Sequence, residues 1–235
     1  MSASAKSTST VAVFGAVAIA LGLFELPGHA AEMGVKIPAP VVDEVASGAS
    51  ETVVLAGGCF WGVQGVFEHA AGVKNAVSGY AGGTKADPTY EEVSSGETGH
   101  AESVQITFDP KKISYGKILQ IFFSVVQNPT EKNFQGPDEG TQYRSAVFTT
   151  SDEQKRVAAA YVAQLDAGKV FAKPIVTEVT SLNVFYKAEN YHQDYATLHP
   201  DQPYIAFNDL PKIANLKAMY ADVWQDKPTL VFAAN

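Results

Sequence analysis

Cysteine occurs once in this 235-residue chain, as Cys59 within Gly57-Gly58-Cys59-Phe60-Trp61-Gly62. A β-type apolar run over Thr52–Ala56 stops at the two glycines, and Val63, Val66, Phe67 and Ala70 follow at helical spacing. The pattern places Cys59 where a strand turns into a helix. A thiol in the first turn faces unpaired backbone N–H groups and the positive end of the helix dipole, and both favour thiolate over thiol. The glycines permit a tight turn and close approach of a ligand, and Phe60 and Trp61 supply apolar walls. Cys59 thus reads as a nucleophile, with an inert cysteine packed beside core aromatics as the alternative.

Glu102 is the second informative residue. It shares strand parity with Val104, Ile106 and Phe108, so its carboxyl is expected to point toward the apolar face. Burial disfavours a carboxylate, raises its pKa and leaves it protonated near neutral pH, the state that a general acid needs. The other reading has Glu102 curling into solvent at the strand end. A protonated acid beside an activated sulfur suits a reaction in which sulfur attacks and an oxygen leaves protonated, and reduction of a sulfoxide is one. A sulfoxide sulfur is poorly electrophilic until its oxygen is protonated or strongly hydrogen-bonded. Phenol donors would help, and Tyr90 in a loop and Tyr143 at a strand start are the candidates.

The elements that must position these groups alternate along the chain. Strands are expected over Lys74–Tyr80, Glu102–Phe108, Tyr143–Thr149 and Ile175–Val179. Ser114 caps an expected helix with Tyr115, Ile118, Leu119, Phe122 and Val126 on its apolar face, and Ser151 with Gln154 opens another that ends near Gly168. Short helices are expected over Ala188–Leu198 and Leu210–Trp224, with polar loops at 82–88 and 127–142. This order gives an α/β or α+β domain over 51–235.

Upstream, Lys6, the apolar run Val11–Phe24 and the small residues Gly28 and Ala30 read as an export signal spanning residues 1–30 and cut after Ala30. The run is shorter than the roughly 20 residues that cross a bilayer, although an uncleaved anchor is the alternative. The expected location is therefore the bacterial periplasm or the exterior. Residues 31–50, with Pro38 and Pro40 and no periodicity, read as a flexible linker. A lone thiol in an exported chain cannot form an internal disulfide and is a liability unless it reacts. Asp and Glu outnumber Lys and Arg by 25 to 17, which opposes nucleic acid as a partner. The histidines lack metal-ligand spacing, so neither a metal nor an organic cofactor is expected, and His192 reads as structural.

Five ordered segments carry a resemblance to a known family. They are residues 57–62, Pro88-Thr89-Tyr90, Gly99-His100-Ala101-Glu102, Asp138-Glu139-Gly140-Thr141-Gln142-Tyr143-Arg144-Ser145, and Ala188-Glu189-Asn190-Tyr191-His192-Gln193-Asp194-Tyr195. Together they resemble the A-class peptide methionine sulfoxide reductases, in their single-cysteine form, from about Val53 to Tyr220. The resemblance implies a two-layer α/β sandwich with a mixed sheet and a ferredoxin-like core. It also implies an enzyme that reduces methionine S-sulfoxide, free or in peptides and proteins. Cys59 would be the nucleophile, Phe60 and Trp61 would hold the S-methyl group, Glu102 would protonate the oxygen, and Tyr90 and Tyr143 would hydrogen-bond it. Asp138 matches an acidic position near that site.

Two departures stand out. Many relatives carry further cysteines near the C-terminus, so here an external thiol, thioredoxin-, glutaredoxin- or glutathione-like, must resolve the sulfenic acid formed on Cys59. Gln127-Asn128-Pro129-Thr130 stands where relatives often have His-Asp before the proline. A monomer is expected. The competing readings are a thiol peroxidase or redox sensor, and an exported peptide-binding module with Cys59 merely buried.

Overall fold

The computed structural model describes Met1 and residues 34–232. The expected export signal lies outside the described residues. Among them, no helix is long and apolar enough to cross a membrane.

Strand β1 (Glu51–Gly57) carries a continuous apolar run, Val53 to Ala56, and all four residues are fully buried, as a strand covered on both faces requires. Helix α1 (Phe60–Glu68) follows, then β2 (Val73–Ala81), the short α2 (Tyr90–Ser94) and β3 (Ala101–Phe108). Helix α3 (Tyr115–Ile121) continues as a π-helical turn at Phe122–Val126. A two-residue hairpin, β4 (Phe134–Gln135) and β5 (Asp138–Glu139), precedes a 3-10 turn at Thr141–Tyr143 and β6 (Ser145–Thr149). Helix α4 (Asp152–Ala167), β7 (Glu178–Ser181), β8 (Phe185–Lys187), a 3-10 turn at Asn190–His192 and α5 (Tyr195–Leu198) come next. A second π-helical turn, Ile205–Asp209, leads into α6 (Leu210–Met219).

The sheet order is β7-β6-β1-β3-β2-β8. Its centre, β6-β1-β3-β2, is antiparallel throughout and is built from the succession β1-α1-β2-β3-α3-β6. That is the ferredoxin-like arrangement. A parallel strand, β7, joins β6 after the α4 crossover, and β8 adds antiparallel to β2, so the whole sheet is mixed. Val53 and Leu55 of β1 and Val104, Ile106 and Phe108 of β3 pack under Phe60, Val63, Val66 and Phe67 of α1 in the main core. The opposite face buries a smaller set, Val54, Ala56, Ala81, Ala101, Ala146 and Phe148.

Several expectations are corrected. Residues 31–50 are not a free linker over their middle part. Val35 N–H donates to the Ser124 carbonyl at 2.8 Å, Tyr161 Oη–H to Pro38 at 2.7 Å, and Gly116 N–H to Asp43 Oδ1 at 2.8 Å. Ile37 is buried between these anchors, so an aperiodic segment docks through its backbone rather than through an apolar stripe. The strand expected over Ile175–Val179 forms over Glu178–Ser181, where it pairs with β6, because Val176 N–H is already taken by the Pro129 carbonyl. The helix expected over Ala188–Leu198 is broken at Gln193–Asp194. Asp194 is left-handed (φ 59°), and its carboxylate accepts the N–H groups of Val231 and Phe232. The helix expected over Leu210–Trp224 stops at Met219.

Candidate active site

The site is assembled where β1 ends. Gly58 takes φ +85°, and a Cβ there would lie 2.7 Å from Cβ of Gln135, so glycine is required on both counts. Cys59 then serves as the N-cap of α1 and is 7% exposed. Its predicted position holds, but its predicted ionisation does not. Burial above all pushes the Cys59 thiol well above the usual range, the carboxyl groups of Asp209, Glu102 and Asp138 add to the rise where they are ionised, and a hydrogen bond from the Trp61 backbone opposes it. A dry environment outweighs one helix terminus. The resting sulfur is a thiol.

Strand parity places Glu102 as expected, facing the core and 2% exposed. Oε2 of Glu102 accepts the Phe60 N–H at 3.0 Å, which ties the acid to the residue after Cys59 and leaves the other carboxyl oxygen to carry a proton. Burial raises its pKa to about 8, tempered by the Phe60 N–H and reinforced by Asp138 and Asp209. Glu102 is therefore protonated at neutral pH. The solvent-facing alternative is excluded.

Aromatic rings form the walls. Phe60 is buried, 6.4 Å from Trp61, 6.0 Å from Tyr80 and 5.0 Å from His192 between ring centroids. Trp61 is half-buried, stacks on Tyr195 at 4.1 Å and meets Tyr204 edge-on at 6.0 Å. Its Nε1–H donates to His192 Nδ1 at 3.2 Å, which fixes the neutral ring's proton on Nε2. Burial lowers the His192 pKa, so the ring stays neutral. His192, expected as structural, is a wall of the aromatic cluster, and the Tyr90 ring lies 4.4 Å from it.

Glu189 holds Tyr90 in place by accepting its backbone N–H at 2.9 Å, and accepts Tyr80 Oη–H at 2.8 Å. Tyr90 and Tyr143 are both half-buried. Burial and then Glu102 push their phenols up, with Cys59 adding to each, so both stay protonated and able to donate a hydrogen bond. Asp138 is half-buried and accepts a hydrogen bond from Tyr204 Oη–H. Burial raises its pKa while Tyr204 and Lys212 oppose the rise.

Of the seven residues singled out in the sequence, Phe60, Trp61 and Glu102 lie beside Cys59, Tyr90 joins them through His192, and Asp138 joins through Tyr204. Sequence reasoning missed Tyr204, gave Tyr195 and Glu189 no role although their segment carries the resemblance, and missed Asp209. The first and last come from Tyr204-Ile205-Ala206-Phe207-Asn208-Asp209, whose π winding no helical spacing reveals. Among the described residues, no group of three or more His, Cys, Asp or Glu side chains is arranged to hold a metal ion.

A buried thiol, a protonated carboxylic acid and phenol donors around an aromatic slot match a sulfoxide. The sequence model of the family described as peptide methionine sulfoxide reductase matches residues 51–224. The chain belongs to this family. A peptide methionine sulfoxide reductase from Mesorhizobium japonicum, named MsrA 2, is 57% identical over 194 residues, which cover 83% of this chain and all of that relative. Another MsrA 2, from Synechocystis, is 48% identical and covers 79% of this chain and 89% of its own. Among solved structures, Mxr1 from Saccharomyces cerevisiae in reduced form is 29% identical with a TM-score of 0.61, covering 69% of this chain and 92% of that one. Methionine sulfoxide reductase A of Corynebacterium diphtheriae is also 29% identical, with a TM-score of 0.57 over 74% of this chain and 90% of that one. This family member is a thiol-dependent oxidoreductase that reduces methionine sulfoxide.

Proposed function

We propose that Cys59 carries the reduction of the S epimer of methionine sulfoxide, in proteins, peptides or free form. The observation that carries this reading is Glu102, buried, protonated and tied to the Phe60 N–H one residue from Cys59. Phe60 and Trp61 hold the S-methyl group, and Tyr90 and Tyr143 hydrogen-bond the sulfoxide oxygen, aided by Glu102. Asp138 orients Tyr204 at the slot.

As the Cys59 sulfur attacks, a bond forms from it to the sulfoxide oxygen and the substrate's sulfur–oxygen bond breaks, its electron pair staying on the methionine sulfur. The oxygen passes to Cys59, protonated by Glu102, which regains a proton from the thiol. The products are methionine and a Cys59 sulfenic acid. An external thiol then attacks the sulfenic acid, releasing water and leaving a mixed disulfide. A second thiol frees Cys59 and leaves as the oxidised disulfide. The chain has one cysteine, so both thiols come from outside, from a thioredoxin-, glutaredoxin- or glutathione-like reductant.

Turnover of a methionine sulfoxide peptide with dithiothreitol, followed by the peptide's loss of one oxygen by mass, tests the assignment. Turnover in the wild type, none in Cys59→Ser and strong slowing in Glu102→Gln are expected. Turnover that survives loss of Cys59 would overturn it. We further propose that the chain is exported as a monomer, cut after Ala30, on the charge and apolar pattern of residues 1–30. Cell fractionation, N-terminal sequencing and light scattering would show a periplasmic or secreted monomer beginning at Ala31, and a cytosolic full-length chain would contradict it.

A further inference from the structure

Gln193 and Asp194 lie between the two residues that fix Trp61, with His192 before them and Tyr195 after them. Both are buried, and their inner side is held by a polar network. Gln193 Nε2–H donates to the carbonyls of Ser78 at 2.9 Å and Ala188 at 3.1 Å, and its Oε1 accepts the Ser78 N–H at 2.9 Å. Gln64 of α1 donates from Nε2 to that same Oε1 at 3.2 Å and accepts the Asp194 N–H at 2.9 Å. The remaining capacity of Gln64 goes to the Ala76 carbonyl and the Ser78 hydroxyl. The network thus ties the segment to α1 and β2 as far as the backbone of Asp194.

The Asp194 side chain carries the connection outward. Its backbone is left-handed, φ 59° and ψ 18°, a conformation that glycine, asparagine and aspartate adopt more readily than other residues. Oδ1 accepts the Val231 N–H at 2.9 Å and Oδ2 the Phe232 N–H at 3.1 Å, so each carboxylate oxygen grips one residue of the segment 224–232. That segment runs along the C-terminal end of α1. Trp224 bridges to Ala70, Gln225 N–H donates to the His69 carbonyl at 3.0 Å, and Thr229 N–H donates to the Glu68 carbonyl at 2.8 Å. A buried carboxylate is costly to desolvate, and here both its oxygens serve a segment with no helix or strand of its own.

We propose that Asp194 is a positioning residue, and residues 224–232 the brace it grips, which together hold the His192–Tyr195 wall against Trp61. This rests on the slot assigned above to the S-methyl group. Trp61 is half-buried, and its place is set by His192 Nδ1 on its Nε1–H and by the Tyr195 ring stacked 4.1 Å away. Asp194 joins the two, so a change in its backbone turns both rings. The brace docks at the C-terminal end of α1, whereas Cys59 caps the other end. Its loss therefore weakens substrate binding and leaves the sulfur chemistry in place.

Steady-state turnover of a methionine sulfoxide peptide with dithiothreitol, in the full chain, separates this role from a merely structural one. Val231→Pro combined with Phe232→Pro deletes both N–H donors by construction. KM is expected to rise about three- to tenfold, the reach of a substitution acting through a packed network, with kcat within about twofold of wild type. Phe232→Ala keeps the N–H and is expected to leave KM unchanged. Asp194→Asn keeps a residue suited to the left-handed turn but sets an NH₂ group against one of the two N–H donors, so it is expected to raise KM as well. An unchanged KM in the double proline variant, or a loss confined to kcat, would overturn the proposal whatever the thermal midpoint does. Should the double variant fail to fold, Phe232→Pro alone decides by the same reading of KM. A failure of the slot assignment is distinguishable, because Trp61→Ala would then leave KM unchanged; if only the brace fails, Trp61→Ala raises KM and the proline variants do not.

Discussion

At the scale of single residues, the site works by keeping protons on groups that would lose them in water. Glu102 is the clearest case, with a pKa raised to about 8 by burial. General-acid catalysis needs the protonated form, so turnover is expected to be level below that value and to fall as pH rises through it. Glu102→Gln is expected to slow turnover by about 10²- to 10⁴-fold, the usual contribution of a positioned proton donor, and to abolish the basic limb. A steady-state pH profile checks both; a variant that keeps the wild-type limb would assign the limb elsewhere. Strand parity, a local property, points Glu102 toward the core but leaves the strand-end alternative open, and burial in the fold decides between them. The sequence does not show the protonation of Cys59. The helix terminus is visible locally, whereas the burial that overrules it, and after burial the carboxyls from β3, β5 and the second π turn, come from residues distant in sequence.

At the scale of elements, the decisive feature is the turn between β1 and α1. Its expectation rested on the Gly57-Gly58 break and the change from strand to helical periodicity, and the structure agrees to within a residue or two. Gly58→Ala is expected to destabilise the protein by about 1–3 kcal/mol, since alanine is strained at φ +85° and its Cβ would collide with Gln135. Urea denaturation measures this, and an unchanged midpoint would mean that the turn relaxes freely. Other elements were less legible. α2 is five residues long, and its Thr89–Glu92 capping box falls where the apolar pattern is too short to show a helix. The three-residue β8 is recognisable only through its pairing with β2. The expected helical face from Tyr115 to Val126 is correct as an apolar face, but its last turn is π-wound, which changes spacing without changing composition.

At the scale of the whole molecule, alternating strands and helices announced the class, and the strand order came from pairing that no local signal encodes. The docked segment around Ile37 escaped notice for the same reason. Its hydrogen bonds run to residues more than 70 positions away. The fold also stores acids in their protonated form beyond the site. Glu68 is buried and Glu44 half-buried, and burial is the first cause raising each from 4.5 to about 8, as it is for Glu102. Each is raised relative to the unfolded chain, so the folded state binds more protons between the two values. Stability is then fullest below about pH 4.5, as far as these groups are concerned, and is lost as pH rises toward 8. Glu68→Gln is expected to flatten that decline, raising the thermal midpoint relative to wild type at pH 8 more than at pH 5. Equal shifts at both pH values would show that Glu68 is not protonated in the fold.

The central claim is that the substrate's oxygen passes to Cys59. A single turnover, without reductant, of a peptide whose sulfoxide carries a heavy-oxygen label tests it most directly, with the intact protein weighed afterwards. The account predicts one labelled oxygen on the peptide containing Cys59 for each methionine formed. Methionine formed with Cys59 unmodified, or modified by unlabelled oxygen, would contradict it.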